Sequence, residues 1–107
     1  MLPKKERLSR EEFNRFFSLG KRVHSPAFQV VYVSHEKLHA SVVVPKKVAK
    51  SAVKRNVIRR RIYDIVRRYR DEAGIRGVYI FLVKPPAVGM PYETLKQEVH
   101  SIIKKIT

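Results

Sequence analysis

The chain contains no cysteine and no tryptophan, and it has only nine acidic residues. Without cysteine there is no disulfide, no thiolate nucleophile and no cysteine-ligated zinc, so the core must be held together by packing alone. No apolar run approaches the roughly 20 residues of a membrane-spanning helix, and the first residues lack the apolar region of a signal peptide. We therefore expect a cytoplasmic protein that has no membrane as its partner.

Groups of residues that hydrolyse RNA or bind phosphate through a loop are also lacking. The sequence has no glycine-rich phosphate loop, and its histidines show no spacing typical of metal binding or acid–base catalysis. These histidines are His24, His35, His39 and His100. We expect that no residue of the chain is catalytic and that it has no small-molecule substrate.

Positive charge is the most prominent feature that is present. The 107 residues include 24 Lys and Arg, which gives a net charge of +15, and 44% of the residues are hydrophobic. That length and apolar content predict one folded domain over residues 1–107. Such a charge on a folded domain is typical of proteins that neutralise phosphates and release counterions. Nucleic acid is therefore the leading class of partner.

The first predicted element is a helix with an aromatic face. Ser9 and Glu12 have the spacing of a capping box, which predicts a helix start near Arg10. Three phenylalanines recur at i, i+3 and i+4, namely Phe13, Phe16 and Phe17. Gly20 is predicted to end this helix in a left-handed turn.

The strand signals are rich in β-branched and aromatic residues. Residues 27–33 and 39–44 are two such runs, separated by a short polar segment, and they predict a hairpin. Residues 78–83 are apolar without alternation, which predicts a central strand that is covered on both faces. Whether a further short strand lies near residues 20–26 is left open by the pattern.

Two more helices complete the prediction. Ser51 is a suitable N-cap for a long helix that reaches about Asp71, and Pro91 suits the first turn of a last helix. That last helix has an apolar stripe formed by Leu95, Val99, Ile102, Ile103 and Ile106. The predicted fold is α+β, in the order helix, strand, strand, helix, strand, helix. It has one sheet of about four strands packed with three helices.

The long helix has two distinct faces at about 100° per residue. One is an apolar stripe of Ile58, Ile62, Ile65, Val66 and Tyr69. The other is a polar ridge of Asn56, Arg60, Tyr63 and Arg67, flanked by Arg59 and Arg70. Between residues 40 and 70 the only acidic residue is Asp64, so most i, i+4 ion pairs of an ordinary solvated helix are missing. This favours an anion-binding face over a merely solvated one.

Residues 45–62 closely resemble the signature of the bacterial ribonuclease P protein family, with an Arg-Asn-x-x-Arg-Arg core at residues 55–60. The resemblance extends over nearly the whole chain, through Arg7-Leu8, Phe13, Phe17, Gly20, Phe28 and the Lys84-Pro85-Pro86-Ala87 segment. The departures are one extra residue near Ala49–Ser51, Arg59 in place of the common Lys, and Tyr63 in place of a basic residue.

The resemblance implies two binding surfaces and an unusual topology. The residues expected to contact the catalytic RNA are Lys46, Lys47, Lys50, Lys54, Arg55, Asn56, Arg59, Arg60, Tyr63 and Arg67. The residues expected to line the cleft for the 5′ leader of precursor tRNA are Phe13, Phe17, Phe28 and Tyr32, with Val31 as the alternative to Tyr32. The family's fold resembles that of a ribosomal-protein domain and has a left-handed β-α-β crossover, against the usual right-handed rule.

The resemblance also implies the partners, which are the catalytic RNA subunit of ribonuclease P and precursor tRNA. The protein would bind no cofactor of its own, because the RNA holds the magnesium ions that the RNA–protein holoenzyme requires. Together they would form an endoribonuclease that removes the 5′ leader of precursor tRNA. The alternative is a ribosomal or other structural RNA-binding protein, and a stand-alone nuclease is a more remote one.

Overall fold

The computed structural model describes residues 3–106. Its helices are α1 (Arg10–Leu19), α2 (Ala52–Ala73) and α3 (Tyr92–Ile106). Its strands are β1 (Lys21–His24), β2 (Phe28–Val33), β3 (Leu38–Val43) and β4 (Gly77–Val83). Short 3-10 turns lie at Lys4–Glu6 and Pro85–Ala87. The predicted α+β class, with one four-stranded sheet and three helices, is confirmed.

The four strands form one mixed sheet in the order β1-β2-β4-β3. β1 and β4 both pair antiparallel with β2, and β3 pairs parallel with β4. The predicted hairpin between residues 27–33 and 39–44 is therefore wrong, because β4 lies between β2 and β3. β4 is apolar on both faces and takes the central position that covers it on both sides, as predicted. The hairpin is instead β1–β2, so residues 21–24 do form a strand.

The two faces of the sheet are covered by different helices. Phe28, Val30 and Phe81 belong to the larger buried cluster, which also contains the apolar stripes of α2 and α3. Val31, Val78 and Ile80 point to the other face and pack against Phe16 of α1. Because side chains alternate along a strand, neighbouring residues such as Val30 and Val31 belong to opposite layers. The position of a residue in its strand thus decides which binding surface it can serve.

Helix α1 begins as predicted but ends differently. The Ser9 hydroxyl accepts from the backbone N–H of Glu12, and the Glu12 carboxylate accepts from the backbone N–H of Ser9. These bonds hold the pKa of Glu12 below its ordinary value. Gly20 follows the helix in extended backbone at φ −75°, so the predicted left-handed turn is wrong. Glycine is needed there because a Cβ would collide with a side-chain methyl of Val31.

Helices α2 and α3 follow their predicted patterns closely. The Ser51 hydroxyl accepts from the backbone N–H of Lys54 at 3.3 Å, and Gly74 ends α2 in the left-handed region at φ 62°. Four members of the α2 stripe are buried and Tyr69 is partly buried, as is Ile106 at the end of the α3 stripe. None of the helices within residues 3–106 is both long and apolar enough to cross a membrane.

Candidate RNA-binding surface

The cationic surface begins in the loop between β3 and α2 and continues along the first half of α2. Its exposed cations are Lys46, Lys47, Lys50, Lys54, Arg60 and Arg61. Over residues 3–106, none of these six side chains makes an ion pair with a carboxylate. Four of them lie before or within the first turn of the helix, where the positive end of the helix dipole disfavours cations by about 0.3–1 kcal/mol each. Their charge is thus left without a neutralising carboxylate in the part of the chain that the structure describes.

Arg55 connects the lysine-bearing loop to the helix. Its Nη1 donates to the backbone carbonyls of Ala49 at 2.9 Å and Lys50 at 2.8 Å. A guanidinium can hold two carbonyls at once because its donors have a fixed planar geometry. Arg55 is only partly exposed, so much of its hydrogen-bonding capacity serves the loop. Asn56 and Arg59, the next polar residues of the motif, hydrogen-bond to each other through Asn56 Oδ1 and Arg59 Nη1.

The second half of α2 carries arginines that are ion-paired. Asp64 accepts from Arg67 Nη2 at 2.8 Å, lies 3.0 Å from Arg68 Nε, and accepts from the Tyr92 hydroxyl of α3 at 2.8 Å. Partial burial alone would raise the pKa of Asp64. The hydrogen bonds from Tyr92 and Arg67 and the charge of Arg68 outweigh that effect and hold the pKa below its ordinary value of 3.8. Arg67 was predicted on the RNA-binding ridge, but its guanidinium is already partnered.

A further ion pair ties this half of α2 to the N-terminal segment. Arg70 pairs with Glu6, which lies in the turn that precedes α1, and its Nε donates to Asp71 at 3.0 Å. Both side chains of the Glu6–Arg70 pair are largely buried, at 16% and 26% exposure. Arg70, predicted to flank the ridge, is therefore a structural link between the chain segment before α1 and the end of α2.

Tyr63 is buried, so its predicted place on the exposed ridge is wrong. Only 5% of the residue is exposed, and its hydroxyl accepts from the backbone N–H of Val42 at 3.1 Å. That N–H belongs to β3, which is an edge strand of the sheet and would otherwise leave this donor unpaired. Tyr63 sits about 100° from Ile62 around the helix axis. Its long side chain nevertheless reaches the sheet edge, where it is amphipathic enough to cover apolar surface and satisfy a polar group.

A second candidate surface lies where α1 crosses the sheet. The rings of Phe13 and Phe17 are stacked, with centroids 5.5 Å apart and an interplanar angle of 14°. Arg22 of β1 lies over the Phe17 ring at 4.5 Å, and its Nη2 donates to the Phe17 carbonyl at 3.3 Å. Both phenylalanines are partly exposed, while Phe16 is buried against Val31 as predicted for a core residue. The result is an aromatic surface bordered by a guanidinium.

Phe28 and Tyr32 do not contribute to this surface, so their predicted place in the same cleft is wrong. Both lie on the opposite face of the sheet, where Phe28 is fully buried and its ring meets Phe81 edge-on at 5.7 Å. Tyr32 packs beside Tyr79 with centroids 5.2 Å apart. The strand residue on the α1 face is Val31, the alternative, and it is fully buried beneath Phe16.

The structure adds residues that the sequence patterns did not single out. Gln29 and Leu82 are paired across β2 and β4 on the α1 face and remain partly exposed. Arg22 lies on the same face because it pairs with Val31. A strand assignment for residues 21–24 would have placed Arg22 there, but the Gln29–Leu82 pair depends on the strand order. Within residues 3–106, no cluster of three or more His, Asp or Glu side chains could hold a metal ion.

Unpaired cations on a helix that packs against one face of a mixed sheet, together with an aromatic surface on the other face, define a nucleic-acid-binding α+β domain. Residues 2–107 of the chain match the family model described as Ribonuclease P. The ribonuclease P protein component of Nitratiruptor sp. is 32% identical over 98 residues, covering 92% of this chain and 88% of that protein. The corresponding protein of Microcystis aeruginosa is 30% identical over 113 residues, covering 97% and 92%. The chain belongs to the ribonuclease P protein family.

Solved structures agree on the fold. The ribonuclease P protein from Thermotoga maritima superposes with a TM-score of 0.84 at 21% identity, covering 95% of this chain and 98% of that one. A mutant of the Staphylococcus aureus protein, described as defective in mRNA degradation, gives a TM-score of 0.85 at 20% identity, covering 96% and 89%. The fold that the resemblance implies, with three helices and one four-stranded mixed sheet, is confirmed.

Proposed function

We propose that this protein is the subunit of ribonuclease P that docks on the catalytic RNA through the β3–α2 loop and the first half of α2. The observation that carries the proposal is the group of exposed cations in this region that have no carboxylate partner within residues 3–106. Each can neutralise a phosphate without first giving up an ion pair. Arg60 and Arg61 add planar donors that suit phosphate oxygens better than an ammonium does.

We also propose that the surface beside α1 holds the 5′ leader of precursor tRNA. Phe13 and Phe17 remain the residues expected to contact bases, and Arg22 replaces Phe28 and Tyr32 as their neighbour. Aromatic rings stack on any base, each contributing ~1–3 kcal/mol, and therefore bind a single strand without reading its sequence. The Arg22 guanidinium, stacked on Phe17, can contact the leader's phosphates from the same surface.

The reaction would be endonucleolytic removal of the leader, in the cytoplasm, to give the mature 5′ end of tRNA. The RNA subunit supplies the catalytic magnesium ions in this proposal. The protein's part is electrostatic and positional: its loop and helix cations lower the repulsion between crowded phosphates, and its aromatic surface fixes the leader. The surplus of positive charge, +15 over the whole chain, is in keeping with that part.

The test combines the purified protein with the ribonuclease P RNA of the same organism and follows cleavage of precursor tRNA at low magnesium and fixed salt. We expect efficient cleavage only when both components are present, and a strong loss with Arg60→Ala/Arg61→Ala. Cleavage by the protein alone would make it a nuclease. If the protein bound that RNA without stimulating cleavage, it would be a structural RNA-binding protein instead.

A further inference from the structure

An exposed apolar patch lies directly beside the cationic surface. It consists of Val53 and Val57, one turn apart on α2, and Val88 in the segment before α3. Their exposed fractions are 72%, 39% and 39%. Together with Lys54, Arg61 and Gly89 they line a shallow cavity of about 280 Å³. The patch is thus a small apolar floor with two cations at its rim.

Neither packing in the core nor helix propensity explains why valine occupies these exposed positions. The core-facing stripe of α2 runs through Ile58, Ile62 and Val66, and Val53 projects away from it into solvent. Valine is a poorer helix former than alanine or lysine because its branched side chain loses rotamer freedom. Apolar side chains left in water also forgo the free energy that their burial would contribute. Contact with a partner would explain why valines stand at these exposed positions.

The charge around the patch selects the chemistry of the partner. Within residues 3–106, no carboxylate lines the cavity, and the whole chain carries a charge of +15. A second copy of the chain would be repelled, whereas a polyanion with an apolar component would be attracted. An unpaired nucleotide has both parts: its base offers an apolar face and its phosphate is anionic. Single-stranded bases also stack on the plane of an arginine, and Arg61 is placed to provide one.

We propose that this patch receives one unpaired base of the RNA on which the protein docks, with Val53, Val57 and Val88 beneath the base and Lys54 at the adjoining phosphate. The inference rests on the proposed function, because it takes that RNA as the partner. A cavity of this size lies just below the range of about 300–1,000 Å³ of ordinary ligand pockets. It therefore suits a single base and not a folded segment.

Binding of the ribonuclease P RNA of the same organism, without precursor tRNA, tests the proposal. Val53→Ser/Val57→Ser removes apolar surface and leaves every charge in place. We expect about tenfold weaker binding, with an unchanged slope of affinity against salt concentration. Leu19→Ser is the matched control, because Leu19 is 71% exposed at the end of α1 and lies outside the patch. It should bind like the unchanged protein.

Val88→Ser extends the test to a residue outside α2, so a change in the helix alone cannot imitate the result. It should weaken binding in the same direction, and thermal unfolding checks that all three variants fold. Equal affinity of the two valine variants and the parent would overturn the inference while the salt-dependent binding of the parent still supported the proposed function. Salt-independent or absent binding by the parent would instead remove the proposed function.

The absence of cysteine allows a direct measurement of contact. Val53→Cys creates a single site for a photo-crosslinker on the full chain. We expect crosslinks to an unpaired nucleotide of the ribonuclease P RNA, at a position that Leu19→Cys does not reach. Crosslinks confined to double-helical regions would overturn the proposal. Crosslinks to a protein and not to the RNA, in cell extract, would overturn it in favour of a protein-docking site.

Discussion

The exposed arginines in the first half of α2 have no carboxylate partner within residues 3–106, whereas in the second half every arginine has one. The first half carries five cations and no acidic residue, whereas the second half carries three arginines and three acidic residues, which are Asp64, Asp71 and Glu72. In the second half a phosphate must displace Asp64, Asp71 or Glu6 before it can bind. In the first half the cations are free of such competition. The acidic residues that pair with the arginines of the second half therefore mark where the interface ends.

The largest expected effect comes from removing the loop lysines. Lys46→Ala/Lys47→Ala/Lys50→Ala should weaken binding of the ribonuclease P RNA about 100-fold at physiological salt, because up to three phosphate contacts are lost. Each lost contact should also lower the slope of affinity against salt concentration by about 0.7–0.9. Filter binding over a series of salt concentrations measures both quantities. Arg67→Ala/Arg68→Ala is the control from the paired half and should change affinity less than about threefold. Equal losses in the two variants would remove the distinction between the halves.

Arg55 differs from the other cations of the first half of α2, because its role is to hold the β3–α2 loop in position. Arg55→Lys should weaken RNA binding about tenfold, nearly as much as Arg55→Ala, since a lysine ammonium does not reproduce the planar hold on two carbonyls. The salt slope separates this role from direct contact. If Arg55 contacted a phosphate directly, Arg55→Ala would lower the slope by about one, and Arg55→Lys would restore the slope because lysine also binds phosphate. Full recovery with Arg55→Lys would show that Arg55 contacts phosphate directly.

Tyr63 tests whether a residue inside the first-half motif can be purely structural. Tyr63→Phe leaves the buried N–H of Val42 without its partner and should lower the free energy of unfolding by about 1–3 kcal/mol. RNA affinity of the folded protein should stay within about twofold. Tyr69→Phe is the matched control, since Tyr69 is partly buried and its hydroxyl makes no hydrogen bond within residues 3–106. A loss of RNA affinity at unchanged stability would return Tyr63 to the interface.

Local patterns predicted most of the elements, and non-local geometry accounts for the errors. The Ser9–Glu12 capping box and the apolar stripes of the helices depend on residues a few positions apart, and they are confirmed. The apolar run of β4 predicted its central position, but the insertion of β4 between β2 and β3 depends on contacts between residues far apart in the sequence. Gly20 is needed because of Val31, a residue of another element. The sequence pattern at the end of α1 therefore could not predict the backbone conformation of Gly20.

The candidate sites show the same division. The predicted loop and helix cations are exposed at Lys46, Lys47, Lys50, Lys54 and Arg60, and only partly exposed at Arg55 and Arg59, while the exposed Arg61 was not predicted. Phe28 and Tyr32 were assigned to the wrong face because the position of α1 relative to the sheet was unknown. The pairing of Arg67 had a visible signal, since Asp64 and Asp71 stand three and four positions away. These spacings predict that Arg67 is ion-paired and does not belong to the polar ridge that binds RNA.

The smallest expected effect concerns Asp64, the centre of the paired half. Because its pKa is lowered in the folded protein, Asp64 contributes stability that is present above its unfolded pKa and is lost as the pH falls through its folded pKa. Asp64→Asn should therefore lower the free energy of unfolding by about 1 kcal/mol at neutral pH. The difference from the parent should shrink in acid, below the ordinary value of 3.8.

Urea unfolding at a series of pH values measures this difference, and Asp71→Asn is a control with a more exposed carboxylate, at 55% against 27%. The control should have a smaller effect, because exposed ion pairs are screened by solvent. Binding of the ribonuclease P RNA should be unchanged or slightly tighter in Asp64→Asn, since one repelling charge is removed. A marked loss of affinity at neutral pH would mean that the paired half orders the RNA-binding half. The ion-paired second half of α2 would then belong to the same RNA-binding interface as the first half.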